Sequence, residues 1–328
     1  MTPALLAVDW GTSSLRGALL TADGRVLEER TFPRGILTVP PNGFFDVFNQ
    51  CFGDWRTANP GLLCLMAGMV GSRQGWQEAA YCTCPAGFAD IAGQLSWIEP
   101  GPESGAGRIA IVPGLCCERE GLAGDTALAT LPDVMRGEET QLFGALQSLQ
   151  LQEQDAVLVL PGTHSKWVQV EGGRITSFTT FMTGECYALL RQHSILARTL
   201  PTGGSPLDEA AFVQGVQIAL RGTSLLQTAF SVRTLALFER LSADALESYL
   251  SGLVIGEELR AQLLSSKQRV VLIANPVLTQ RYQLALAQCG ITCDSPGAQV
   301  TWAGLSAIAQ TLANANPLVI PLGLVIPA

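Results

Sequence analysis

The chain has 328 residues, 48% of them hydrophobic and 15% charged, which is enough apolar material for a substantial core and a length that favours two domains. A net charge of −8 with lysine confined to Lys166 and Lys267 excludes a basic nucleic-acid surface. Nine cysteines at spacings that fit no disulfide framework, together with only two histidines, exclude a disulfide-stapled fold and a His-rich metal site.

The opening "MTPALLAVDW" carries no basic leader before Asp9, and the apolar tail "PLVIPLGLVIPA" is shorter than a bilayer span and broken by Pro. A cytoplasmic protein is expected, with its cysteines serving as small buried hydrophobes. Three short strands come first, Leu5–Trp10, Leu15–Leu20 and Val26–Phe32, with "ADGR" as the turn between the last two. "FFDVFNQCFGDW" has its aromatic residues near helical spacing. "LLCLMAGM" and "RIAIVPGL" read as buried strands on either side of a Gly-rich irregular segment from Val70 to Gly107. A helix "EETQLFGALQSLQ" starts near Glu138. "AVLVLPGTHSKWVQVEGGRITSFTTF" then reads as strand, turn, strand, glycine turn, strand. The remainder is mainly helical, notably Ala243–Leu264, with a strand "RVVLIAN" leading into the helix "VLTQRYQLALAQCG" and a closing helix "WAGLSAIAQTLANA".

The two meanders repeat one another. Gly11-Thr12 matches Gly162-Thr163 and Gly24-Arg25 matches Gly173-Arg174, about half a chain apart. Two related α/β lobes are therefore expected, each presenting backbone N–H groups and hydroxyls at one Gly-Thr turn. Paired turns of this kind suit a polyphosphate: glycine lets the backbone approach the oxygens, and Thr and Ser add donors. Asp9, at the end of the first strand, would oppose an anion unless a divalent cation lay between them. Mg²⁺ suits that place, being held by one or two carboxylates, waters and phosphate oxygens. A P-loop is excluded because neither lysine follows a glycine.

"AVDWGTSSLR", "MAGMVGSRQGW", "MRGEETQLFGA", "LPGTHSKWVQ" and "FMTGE", in this order, resemble the 2-dehydro-3-deoxygalactonokinase family of the sugar-kinase, actin and heat-shock-ATPase superfamily. The resemblance implies an α/β fold of two RNase-H-like lobes with a cleft between them. The first lobe would span residues 1–137 and hold the sugar acid. The second would span 138–328 and hold the nucleotide, its final helix packing back toward the first. It further implies ATP and Mg²⁺ as cofactors and phosphorylation of 2-dehydro-3-deoxy-D-galactonate on its 6-hydroxyl. Asp9 falls to the metal; Gly11, Thr12 and Ser13 fall in the first phosphate motif and Gly162, Thr163 and His164 in the second. Where related kinases place a Gly-rich adenosine turn, this chain has Asn275 and Pro276, which leaves the nucleotide preference open.

Many kinases of the superfamily carry an Asp base at the start of the inter-lobe helix, and Glu138 and Glu139 stand there instead. Either can be the base, Glu138 being the first choice and Asp125 a weaker rival; both glutamates also suit a positive helix N-terminus. Arg73 is the candidate partner of the substrate carboxylate, with Ser72 and Trp76 beside it. The expected partners are a small sugar acid and ATP, with neither nucleic acid nor membrane, and a homodimer is left open. Kinases of another sugar or sugar acid, a chaperone- or actin-like ATPase and a sugar-sensing regulator remain as alternatives.

Overall fold

The computed structural model describes residues 2–99, 107–120, 130–222, 224–262, 264–265, 268–297 and 300–315. Asp125 and the apolar tail lie outside them. The described residues form two compact units.

Unit one runs to Asp155 and also holds residues 169–178 and the closing helix. Its elements are β1 (Leu5–Trp10), β2 (Leu15–Leu20), β3 (Val26–Phe32), α1 (Phe44–Ala58), β4 (Leu63–Ala67), β5 (Tyr81–Thr83), α2 (Phe88–Gly93), β6 (Ser96–Ile98), β7 (Ile109–Ile111), β8 (Gly114–Glu120), β9 (Thr130–Met135) and α3 (Glu138–Ser148). A six-stranded sheet has the order β3-β2-β1-β4-β7-β6, and β5-β8-β9 make a small second sheet. The meander β1-β2-β3 is antiparallel, whereas β1, β4 and β7 run parallel. Parallel strands are buried on both faces, and β1 and β4 accordingly read as nearly unbroken apolar runs. The apolar stripe of α1, with Phe48, Phe52 and Trp55, packs with Val8, Trp10 and Met66 in one core.

Unit two holds residues 156–168 and 179–297. In chain order its elements are β10 (Ala156–Leu160), β11 (Ser165–Glu171), β12 (Arg174–Phe181), α4 (Thr183–His193), α5 (Glu209–Arg221), α6 (Leu225–Thr228), α7 (Ser231–Leu237), α8 (Ala243–Arg260), β13 (Val270–Leu272), α9 (Pro276–Ala287) and β14 (Cys293–Asp294), with β11 from residue 169 on and β12 up to Phe178 counted in unit one. Its sheet order, β12-β11-β10-β13-β14, repeats the β3-β2-β1-β4-β7 order of unit one. Strands β10, β13 and β14 are parallel, in the places of β1, β4 and β7. The duplication suggested by the two Gly-Thr meanders is thus a duplication of topology, and the α/β fold of two RNase-H-like units is the one expected. Its core includes Val157, Val159, Trp167, Phe212, Ile255 and Tyr282.

The units do not divide at residue 137. Helix α3 belongs to unit one, where it packs along the closing helix α10 (Val300–Ala315). Gly144 and Gly304 permit this contact: a Cβ on Gly144 would stand 1.7 Å from the Val300 carbonyl oxygen, and one on Gly304 1.8 Å from that of Thr140. The segment from Val70 to Gly107, read as irregular, holds β5, α2 and β6 among its described residues. Their three to six residues are too short to show a period. The "RIAIVPGL" run is two strands, β7 and β8, parted at Val112-Pro113, since proline cannot donate within a ladder.

Candidate active site

In open α/β sheets ligands bind beyond the carboxyl ends of the parallel strands. Asp9 stands near that end of β1, and Gly68 follows β4. Asp9 faces Arg16 on β2, its register partner, and Arg16 Nη2 donates to Asp9 Oδ2 at 2.5 Å. Both side chains keep some exposure, 22% for Asp9 and 34% for Arg16.

Beyond Asp9 the chain makes the tight turn Gly11–Ser14, closed by the Gly11 N–H donating to the Ser14 carbonyl at 2.9 Å. The Thr12 and Ser13 side chains are exposed. The turn is backed by Gly35, where a Cβ would lie 2.1 Å from the Thr12 carbonyl oxygen, and the Ile36 N–H donates to the Gly11 carbonyl. The backbone of the first phosphate motif is therefore braced from behind while its hydroxyls face outward.

Two left-handed glycines bring the base candidates to this place. Gly68 has φ +95° and Gly137 φ +104°, a region glycine enters without penalty. A Cβ on Gly137 would be 3.2 Å from Gly68 Cα, and one on Gly68 would be 2.9 Å from the Trp10 carbonyl and 3.3 Å from Asp9 Oδ1. Asp9, Gly68 and Gly137 are thus stacked in contact, and Glu138 follows immediately as the first residue of α3.

The two glutamates differ in environment. Glu139 is fully buried; its Oε2 accepts from the Gly137 N–H at 2.6 Å, and its Oε1 has no hydrogen-bond partner. Burial, and then the neighbouring Glu138 carboxylate, push its carboxyl up to about 8. Glu138 is half-buried, and its Oε2 accepts from the Arg136 N–H at 3.1 Å. Both carboxyl groups thus accept from backbone N–H groups at the entry to α3, where acidic first-turn residues also suit the positive helix end. Only Glu138 keeps a side chain that a substrate can reach.

Arg136, which the sequence reading passed over, joins this turn to the loop after β4. Its Nη2 donates to the Ala79 carbonyl at 2.7 Å, and its guanidinium lies over the Tyr81 ring with the carbon 4.4 Å from the centroid. Nη1 is within 3.0 Å of where a Cβ on Gly71 would be, and neither Nη1 nor Nε has a hydrogen-bond partner. The signal for it is the Met-Arg-Gly-Glu-Glu run itself, which was read only from its glutamates.

The loop held by Arg136 carries the three candidate substrate residues. Ser72 Oγ donates to the Met69 carbonyl at 2.8 Å. Arg73 is 86% exposed and its Nε donates to Glu78 at 3.1 Å, so the structure does not seat it in a built anion site. Trp76 packs among Trp10, Phe44, Phe45 and Phe48 at ring separations of 5.7–6.5 Å, joining the loop to the core.

In unit two the second turn, Gly162-Thr163-His164, stands between β10 and β11 and packs against the start of α4. A Cβ on Gly184 would be 2.4 Å from the Gly162 carbonyl oxygen, and the Glu185 N–H donates to the Thr163 carbonyl at 3.0 Å. His164 Nε2 donates to the Glu185 carboxylate at 2.6 Å. Helix α4 begins without a side-chain cap, so its positive end is presented beside the turn. Lys166 points inward, and its Nζ donates to Thr180 at 2.9 Å.

A cavity of about 260 Å³ opens beside that turn, lined by Gly162, Ile255, Val277, Leu278, Arg281 and Tyr282 among others. Apolar walls with a few polar groups are what a small-molecule pocket requires. Arg281 Nη1 donates to Ser251 at 2.5 Å, whereas its Nε is buried without a partner. Asn275 and Pro276, unexpected at a nucleotide turn, form a capped helix start: Asn275 Oδ1 accepts from the Leu278 N–H at 3.0 Å and Pro276 occupies the first turn of α9. That cap sets Val277 and Leu278 against the cavity.

The donor set around Asp9 can be weighed against a magnesium ion. Among the described residues no three His, Cys, Asp or Glu side chains converge on one point. One carboxylate with one oxygen on Arg16 fits an ion held mostly by phosphate oxygens and water, and does not fit an all-protein cage.

The chain is 34% identical over 317 residues to 2-dehydro-3-deoxygalactonokinase of Escherichia coli K12, covering 96% of this chain and 100% of that one. A crystal structure of a Sinorhizobium meliloti protein described as a 2-dehydro-3-deoxygalactonokinase superposes with a TM-score of 0.82 at 33% identity, covering 96% of this chain and all of that one. The family model for 2-keto-3-deoxy-galactonokinase matches residues 9–308, from Asp9 into α10, and the chain belongs to that family.

Proposed function

We propose that the protein transfers the γ-phosphoryl group of ATP to the 6-hydroxyl of 2-dehydro-3-deoxy-D-galactonate. The observation that supports the reading is the stacking of Asp9, Gly68 and Gly137, which brings the start of α3, where Glu138 stands, to the end of β1. Phosphoryl transfer needs positioning, charge neutralisation and an acceptor for the hydroxyl proton, and little covalent chemistry from protein.

In this reading the backbone and hydroxyls of Gly11, Thr12 and Ser13 bind phosphate oxygens, and Arg16 adds a positive charge next to them. In unit two the Gly162–His164 turn and the start of α4 are the second phosphate-binding element, with the nucleoside in the adjoining cavity. Magnesium, when bound, would be held by Asp9 and would neutralise charge developing on the phosphates. Glu138 accepts the proton of the attacking hydroxyl. Glu139 is enclosed and neutral at pH 7, and it holds the Gly137 N–H so that the turn keeps its shape. Ser72 and Arg73 receive the acid end of the substrate, and Arg136 fixes the loop that carries them.

A coupled ADP-release assay over a panel of 2-keto-3-deoxy sugar acids and their neutral analogues tests this. Turnover that is fastest with 2-dehydro-3-deoxy-D-galactonate and requires ATP is the expected result. Faster turnover of another acid would reassign the substrate, and none with any acid would remove the kinase reading.

A further inference from the structure

Glu258 of α8 is buried in unit two, far from both phosphate motifs in sequence, and accepts four hydrogen bonds. Ser165 Oγ donates to its Oε1 at 2.7 Å and Trp167 Nε1 to the same oxygen at 2.5 Å. Thr183 Oγ1 and the Tyr282 hydroxyl donate to its Oε2, the latter at 2.8 Å. Two donors on each oxygen fill the acceptor capacity of a carboxylate.

The donors come from three elements, β11, α4 and α9. Ser165 follows His164 directly, so it anchors the end of the second phosphate turn. Thr183 is the first residue of α4, whose next residue, Gly184, abuts Gly162. Tyr282 stands on α9, and both Thr183 and Tyr282 line the cavity. On α8 the cavity-lining residues Glu247, Ser251, Val254 and Ile255 fall on one helical stripe, and Glu258 is the next position of that stripe. One buried group therefore holds the turn, the helix start and two cavity walls in register.

We propose that Glu258 is a positioning residue for the nucleotide, fixing the second phosphate turn against the cavity through Ser165, Trp167, Thr183 and Tyr282. The proposal rests on the reading of ATP as the phosphoryl donor. A carboxylate suits this place better than an amide. Trp167 can only donate, so a glutamine oxygen would have to stay with Trp167 and Ser165, turning its NH₂ toward Thr183 and Tyr282. Those two hydroxyls can accept instead, so the substitution keeps its partners and the fold, but the hydroxyl orientations on the cavity side reverse.

The test is Glu258→Gln, with Tyr282→Phe as a milder second variant that removes one donor and leaves the carboxylate. Steady-state kinetics with ATP and sugar acid varied separately, calorimetric titration with Mg-ADP, and melting temperatures are measured for each. The expected result is a KM for ATP raised about tenfold or more in Glu258→Gln and several-fold in Tyr282→Phe, with weaker Mg-ADP binding and a sugar-acid KM within about twofold of the parent. Lowered melting temperatures with both KM values and Mg-ADP affinity unchanged would make Glu258 a structural brace and overturn the proposal. Absence of ATP-dependent transfer by the parent enzyme would instead remove the kinase reading, and this inference with it.

Discussion

Asp9 and Arg16 face each other across the antiparallel pair β1-β2, joined at 2.5 Å with both side chains partly open to solvent. An exposed pair of this kind contributes at most about 1 kcal/mol to stability. On the proposed reading its value is in the site, with the carboxylate facing a cation and the guanidinium an anion. Asp9→Asn is expected to lower kcat by about two orders of magnitude or more and to weaken Mg-ATP binding, with a melting temperature within a few degrees of the parent. Near-normal turnover by this variant would place the metal elsewhere.

Glu138 and Glu139 separate in the same experiment. A positioned general base contributes about 10²–10⁴-fold in rate. Glu138→Gln should lose kcat on that order with little change in the KM for ATP. If Glu139→Gln shows that loss and Glu138→Gln does not, the assignment within the pair is reversed.

Glu139 also predicts a pH dependence of stability. Its folded carboxyl titrates at about 8, above the ordinary 4.5, because burial disfavours the charge. Between those values the native state keeps a proton that the unfolded chain releases, so its contribution to stability is complete below about 4.5 and is lost as pH rises toward 8. The limiting slope for one proton is about 1.4 kcal/mol per pH unit. Urea unfolding at a series of pH values should show this fall in the parent and a flatter profile in Glu139→Gln. Parallel profiles would mean that Glu139 is charged in the fold.

The helix that carries both glutamates is set by its contact with α10. A Cβ on Gly144 would lie 1.7 Å from the backbone of Val300, so Gly144→Ala must push the two helices apart. Overpacking of this kind costs about 1–3 kcal/mol, and more where backbone is struck. Denaturant titration should register that loss, together with lower kcat as the start of α3 shifts. An unchanged midpoint would show that the helices separate freely.

Much of the fold was legible because its signals are local. The three opening strands fall where the apolar runs and the Asp-Gly turn put them, and the second meander was found by its likeness to the first. The two Gly-Thr turns were legible for the same reason: Gly11–Ser13 and Gly162–His164 are contiguous. What escaped depends on distant contacts. Arg136 reaches a carbonyl 57 positions away, and Glu258 meets Ser165 across 93. No spacing rule announces a left-handed Gly68 set against a left-handed Gly137. The unit boundary escaped similarly, because the start of α3 resembles a new beginning while its packing partner lies near the end of the chain.

Arg73 is where the proposed substrate class can be tested. A kinase of neutral sugars needs no guanidinium at the far end of its substrate, whereas a sugar-acid kinase must pair a carboxylate whose burial would otherwise be costly. Arg73 is 86% exposed and, among the described residues, is held by the exposed Glu78, so it can move onto an incoming acid without breaking a buried contact. Hydrogen bonds to charged groups contribute roughly 1.5–3 kcal/mol each. Arg73→Ala should therefore raise the KM for the keto-acid by about tenfold or more and leave Mg-ATP affinity nearly unchanged. The remaining activity should also lose its preference for the acid over the corresponding neutral sugar. If Arg73 only steadies the loop through Glu78, acid and neutral substrates would suffer alike, and Glu78→Ala would reproduce the effect. Measuring kcat/KM for an acid and its neutral analogue in the parent and both variants separates the two. An acid-to-neutral ratio that stays fixed after Arg73→Ala would show that the carboxylate is received by another group, and Arg136, half-buried beside the same loop with two nitrogens that have no hydrogen-bond partner, would be the next to substitute.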